Sequence, residues 1–245
     1  MKRLKQGIIF LLLSGLVLFG TKGYAINFRT NVPNNPRYDE MLFHFGFLLG
    51  VNTMDFMLKT TDNIGLPGDS LLGIKHNMLP GFSVGIVTNL RLGKYFDLRF
   101  IPTFSLGQRD LIYSFRQTDG SVLADKKSIE SIFLELPLEF KWKAARLVNS
   151  RPFVTAGFKY TVDVASLTKK KKENIDIYEM KLRKHDIGFT VGVGWDFYLP
   201  YNNKIALEVK MYFGLRDLLI RENNIYTNYI DRLGSKLLQI NITFE

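Results

Sequence analysis

The chain has 245 residues, a formal net charge of +10, 13 % aromatic residues and no cysteine, which excludes a disulfide framework, a cysteine metal site and a lipidated N-terminal cysteine. Its mean hydropathy is near zero, which excludes a polytopic helical membrane protein, because several apolar runs of about 20 residues would be needed. A β-barrel is not excluded, since its lipid face uses alternate residues, and one large domain without solenoid repeats suits the length.

Residues 1–25 read as a Sec signal peptide. Lys2, Arg3 and Lys5 form a basic start, Ile8 to Phe19 an apolar core and Gly23-Tyr24-Ala25 a small-x-small cleavage site. The apolar core is short for the alternative, an uncleaved anchor. Removing this segment takes away Lys2, Arg3, Lys5 and Lys22 and lowers the net charge from +10 to +6. The excess is modest, and an exported chain seldom meets nucleic acid. Residues 26–41 carry Asn, Pro and Arg without periodicity and read as an irregular periplasmic lead-in.

Residues 42–245 then read as a closed antiparallel transmembrane β-barrel. Eight strands are expected: Leu42 to Asn52, Gly81 to Arg91, Phe96 to Leu106, Ile132 to Lys143, Pro152 to Asp163, Ile187 to Leu199, Ile205 to Phe213 and Lys236 to Phe244. Three connections are short: Leu92 to Tyr95, Ala144 to Arg151 and Pro200 to Lys204. Four are long: Thr53 to Pro80, Gly107 to Ser131, Val164 to Asp186 and Gly214 to Ser235. Short and long connections alternate, as periplasmic turns and external loops do in outer-membrane barrels, and an even strand number leaves both termini periplasmic. Thr118-Asp119-Gly120-Ser121 is a hairpin signal, so strands flanking it would rise above the membrane.

The strands have two chemically distinct faces. In DIGFTVGVGWDFYLP, Asp186 to Pro200, one face carries Ile187, Phe189, Val191, Val193, Trp195 and Phe197, and the other Gly188, Thr190, Gly192, Gly194, Asp196 and Tyr198. A soluble sandwich also alternates. Three features favour lipid: small residues at Gly46, Gly50, Gly81, Ser83, Gly85, Gly188, Gly192 and Gly194 that fit a narrow interior, an aromatic girdle and a near-terminal Phe244. The girdle comprises Trp142, Trp195, Phe197, Tyr198, Tyr201, Tyr95 and Phe96. A lipocalin-like barrel, greasy inside, is the soluble alternative. Arg99, Glu135, Glu139, Lys141, Lys159, Asp196, Glu208 and Lys210 fall on the small-residue face with His44, Asn52, Arg91, Asp97 and Asp163. Crowded charges of both signs must pair. They read as a plugging polar network, with a selective channel or proton path as the functional alternative.

Catalytic patterns are weak. His44, His76 and His185 fall in different places, which disfavours a polyhistidine metal site. His185-Asp186 could be half of a rim hydrolase but has no local nucleophile beside it, and no Gly-x-Ser-x-Gly elbow, phosphate loop or calcium loop occurs. No enzyme activity, metal or cofactor is expected. Lys169, Lys170, Lys171 and Lys172, followed by Lys181, Arg183 and Lys184, form a basic external loop, interspersed with Glu173, Asp176 and Glu179. It reads as a solvated loop or, more sharply, as a contact for lipopolysaccharide or an acidic partner.

Three runs, FHFGFLLGVNTMDFMLK (Phe43 to Lys59), DLRFIPTFSLGQRDLIYSF (Asp97 to Phe115) and IESIFLELPLEFKWK (Ile129 to Lys143), resemble the PorT family of Bacteroidota outer-membrane barrels; GFTVGVGWDFYL is similar too. The resemblance implies an association with type IX secretion and brings no catalytic residues. It leads to the expectation of a non-enzymatic accessory or assembly component, contacting secretion-system proteins, outer-membrane lipids and lipopolysaccharide. A general structural or surface-binding barrel that touches lipopolysaccharide, peptidoglycan or host molecules is the alternative.

Overall fold

Strand after strand, one row of side chains is exposed and apolar while the row between is buried and polar. In the computed structural model, which describes residues 34–61, 71–116, 121–165, 182–200, 203–221 and 229–245, this alternation runs around a closed antiparallel ring. The segments are β1 (Phe43–Thr60), β2 (Leu71–Arg91), β3 (Phe96–Phe100), β4 (Thr103–Arg116), β5 (Val122–Lys143), β6 (Ser150–Asp163), β7 (His185–Tyr198), β8 (Lys204–Gly214) and β9 (Ile230–Phe244). Sequence neighbours pair except β3 with β4, and β1 pairs with both β2 and β9, which seals the ring.

Nine segments make eight walls, because β3 and β4 both lie between β2 and β5. The break between them contains Ile101-Pro102. Proline has no N–H for the ladder, but its carbonyl still accepts from the Ile86 N–H at 3.0 Å.

On β7 the bulky row Ile187, Phe189, Val191, Val193, Trp195 and Phe197 is exposed, while Asp186, Thr190 and Asp196 are buried. An apolar belt this continuous is untenable against water and expected against hydrocarbon. On β1 it runs from Phe43 to Val51. Eight residue steps span about 27 Å along a strand, or about 21 Å along the axis at a tilt of about 40°. Inside, small residues admit large ones: a Cβ on Gly194 would lie 2.3 Å from the Phe153 ring.

Above the belt the architecture changes. Pairing of β1 with β2 stops at Met54 and Leu79, whereas β1 follows β9 to Thr60 and β2 follows β4 to Leu71. The two sheets enclose Phe56, Leu71, Leu111, Tyr113, Leu219, Ile230 and Leu233 in an apolar core. His76 Nδ1 meets Asp55 Oδ1 at 2.6 Å, joining β2 to β1 beyond their last backbone pair. Much of the expected loops Thr53 to Pro80 and Gly107 to Ser131 is therefore strand, as is the end of Gly214 to Ser235.

The lead-in departs from its irregular reading where it is described. Residues Tyr38–Glu40 form a short 3-10 helix with Tyr38 buried. Residues 1–33, including the signal-peptide segment, lie outside the described residues.

Candidate functional site

The inward rows of the belt converge into a stack of buried charges. Nearest the short turns, Lys204 on β8 bonds Glu245 at 2.6 Å, and Arg99 on β3 reaches Glu245 at 3.5 Å and Glu208 at 3.2 Å. Lys141 bonds Asp196 at 2.8 Å, and Lys143 bonds Asp97 at 2.5 Å. Higher up, Lys210 bonds Glu139 at 2.6 Å and lies 3.4 Å from Glu208. Lys159 bonds Glu135 at 2.8 Å, and Thr155 donates to Glu208 at 2.9 Å. A neutral layer follows, in which Asn52 donates to Ser83 at 2.8 Å and Gln239 donates to Ser83 and Ser105 at 3.3 Å each.

All eight residues assigned to the lumen network are brought together here: Arg99, Glu135, Glu139, Lys141, Lys159, Asp196, Glu208 and Lys210 are each buried with an opposite charge. Removing one partner from such a pair strands a buried charge, although the intact pair adds little stability over hydrocarbon. The stack encloses a cavity of about 10 Å3 lined by Glu135, Glu139, Lys159 and Lys210 among others, room for about one water.

Sequence reasoning missed Arg109 on β4. Its guanidinium lies 4.2 Å from the Phe56 ring centre and 5.0 Å from that of Phe133, and donates to Ser131 at 2.7 Å. It stands between the charged stack and the apolar core. Its odd position matches Thr103 and Ser105, so extending the strand beyond Leu106 would have found it.

The plug at the short-turn end was also missed. Tyr38 stacks on His44 at 4.2 Å and meets Tyr198 edge-on. Burial, the largest influence, pushes the Tyr38 hydroxyl above its ordinary value, so it remains a donor to Glu245 at 3.3 Å. Asp39 accepts from Arg151 at 3.1 Å, Arg146 at 3.3 Å and the Tyr198 hydroxyl at 3.1 Å. Burial opposes its ionisation, but the Arg151 charge and the Arg146 hydrogen bond prevail, so the Asp39 carboxyl titrates below its ordinary value. Arg146 also donates to the Asn34 carbonyl and packs over Tyr198. Tyr198 therefore belongs to the interior and not to the girdle, because its even position on β7 shares the inward face with Asp196. Trp142, Trp195, Phe197, Tyr95 and Phe96 are exposed, and Tyr201 lies outside the described residues.

The histidines stand apart: His44 under the plug, His76 with Asp55, and His185 with the Tyr160 hydroxyl at 2.8 Å. Asp186 accepts from Tyr212 at 2.9 Å. Of the basic loop, Arg183 and Lys184 are described at the start of β7, while Lys169, Lys170, Lys171, Lys172 and Lys181 lie outside the described residues.

A family model described as "Outer membrane protein beta-barrel domain" matches residues 31–219. No curated protein matches the chain. Similar solved structures include Neisserial surface protein A, at 12 % identity over 82 % of this chain and 97 % of that one, with a TM-score of 0.42. The outer membrane protein OprG from Pseudomonas aeruginosa is 15 % identical over 83 % and 94 %, with a TM-score of 0.43. The N-terminal barrel domain of OprF from the same organism is 13 % identical over 79 % and 96 %, with a TM-score of 0.33.

Proposed function

The chain belongs to the outer membrane protein β-barrel domain family, and from that premise we propose that it serves type IX secretion as a non-enzymatic accessory or assembly component. It acts through contacts with other secretion-system proteins. The PorT resemblance of Phe43 to Lys59, Asp97 to Phe115 and Ile129 to Lys143 supports the pathway. The observation that carries an accessory role is the filled lumen: Arg99, Lys141, Lys159 and Lys210 all spend their charge on neighbouring carboxylates. Eight walls packed with side chains cannot conduct a folded cargo.

In this reading the short turns and both chain ends face the periplasm. The start of β1 and the end of β9 lie together, with Phe47 opposite Phe244, at the end where Leu92 to Tyr95 turns. The storey above the belt then faces outward and offers a partner surface. Deleting the gene is expected to leave type IX cargo in the periplasm while signal-peptide export continues, as read by fractionation. Normal surface cargo would reject the secretion role and leave the general surface-binding barrel.

A further inference from the structure

Several exposed cations above the belt have acidic partners. Lys59 bonds Asp231 at 2.6 Å, Lys126 bonds Asp110 at 2.8 Å and Arg221 bonds Asp217 at 2.8 Å. On the same rim of β7, β8 and β9 four cations gather that have none. Arg183, Lys184, Arg216 and Arg232 have no carboxylate within ion-pair distance among the described residues. They gather around one short segment: the Arg183 N–H donates to the Leu218 carbonyl at 2.7 Å, and Arg232 donates to the Leu215 carbonyl at 2.5 Å. Asp217 and Asp231, next to Arg216 and Arg232, are already taken by Arg221 and Lys59, and Asp186, two positions from Lys184, is buried and accepts from Tyr212.

The apolar belt ends directly beneath these cations. Leu215 and Ile187 are joined by a backbone hydrogen bond of 2.9 Å, and both are exposed, as is Phe189. One residue beyond Leu215 stands Arg216. A molecule that satisfies both surfaces carries acyl chains and, at the depth where hydrocarbon gives way to headgroups, more than one phosphate. Arginine suits such a partner because its planar fork binds phosphate oxygens in pairs, and a charge beside a membrane surface is screened within about 10 Å at 0.1 M salt.

We propose that Arg183, Lys184, Arg216 and Arg232 hold the phosphates of an outer-leaflet phosphoglycolipid of the lipopolysaccharide type, whose acyl chains lie against Ile187, Phe189 and Leu215. The assignment rests on the orientation proposed above and is independent of cargo export.

The test titrates the folded full-length protein, in a zwitterionic detergent, with fluorescent bisphosphorylated lipid A and with its dephosphorylated form. The protein is expected to bind the bisphosphorylated form at least tenfold more tightly. R183Q/K184Q/R216Q is expected to remove that preference and flatten its salt dependence, while R183K/R216K keeps it. K75Q/R116Q, on the opposite side, serves as the surface-charge control and should match the parent. Heat-modified gel mobility confirms that each variant is folded. Equal binding of the two lipids, or a triple variant within twofold of the parent, would overturn the site. Displacement of the lipid by inorganic phosphate at equal concentration would also overturn it, by making this a free-anion site. In intact cells, an impermeant maleimide should label R216C; labelling only after the outer membrane is ruptured would reject the orientation and with it an outer-leaflet ligand, whatever the result with cargo.

Discussion

The two storeys of this cylinder follow opposite rules of burial along the same strands. On β1 below Thr53, the inward row is His44, Gly46, Gly50 and Asn52 with one apolar residue, Leu48, and the outward row is Phe43, Phe45, Phe47, Leu49 and Val51. Beyond it, Met54 and Phe56 turn inward, and on the other row Lys59 is exposed while Asp55 is covered by its bond to His76. Nothing in the backbone requires the inversion; the external solvent does. Where hydrocarbon surrounds the wall, apolar side chains gain nothing by turning in, and polar ones are driven inward and must find partners there. Where water surrounds it, burial of apolar area again organises the inside. The lower storey is therefore held by ladder closure around charges that must be matched, and the upper one by an ordinary hydrophobic core.

The two storeys should respond differently to the loss of a single side chain. Lys141→Met leaves Asp196 buried without its cation and is expected to cost about 3–5 kcal/mol, measured by urea unfolding of the folded protein in lipid vesicles. Adding Asp196→Leu should recover most of that loss, because a paired interior and an apolar one differ little. A double variant as unstable as the single would mean that charge pairing itself, and not its disruption, holds the lower storey. In the upper storey, Leu233→Ala is expected to cost about 3 kcal/mol through the cavity it leaves. That loss should stay local: protease sensitivity of residues 107–116 and 121–131 should rise while the heat-resistant mobility of the belt persists. Global unfolding at the same denaturant concentration would show one cooperative unit instead.

The storeys also differ in how readable they were. In the belt a period of two marks every wall, so the eight strand positions and the inward row could be taken from parity alone. Above it the pattern does not stop; its phase reverses. Apolar residues pass from odd positions on β1 to Met54 and Phe56, and a reversal of phase resembles the end of a strand. The same reversal hid Arg109. Parity identified Lys141 and Asp196 as inward, but not as a pair, since they are separated by 55 positions and meet only through the ring. The lead-in was illegible for another reason: Asn34, Tyr38 and Asp39 have no periodicity, and their partners Arg146, Arg151 and Tyr198 lie more than a hundred positions away.

The smallest predicted effect concerns that lead-in, which closes the lower storey at its short-turn end. Asp39 is partly exposed, so its bonds to Arg146 and Arg151 are worth about 1 kcal/mol, and Asp39→Asn is expected to loosen residues 34–41 without unfolding the ring. The pH dependence has a fixed sign. Because the docked carboxyl titrates below its ordinary value of 3.8, docking is favoured fully above that value and loses the contribution as pH falls through the depressed one. Hydrogen exchange of the Tyr38 and Glu40 amides should therefore be flat between pH 5 and 7 once corrected for intrinsic rates, and should quicken below about pH 4. Asp39→Asn should show the faster exchange throughout and no such step. A step retained in the variant would shift the origin to the other carboxylate beneath the plug, Glu245, which Lys204 holds at 2.6 Å; the closure would then be governed by the charged stack and not by the lead-in's own contacts.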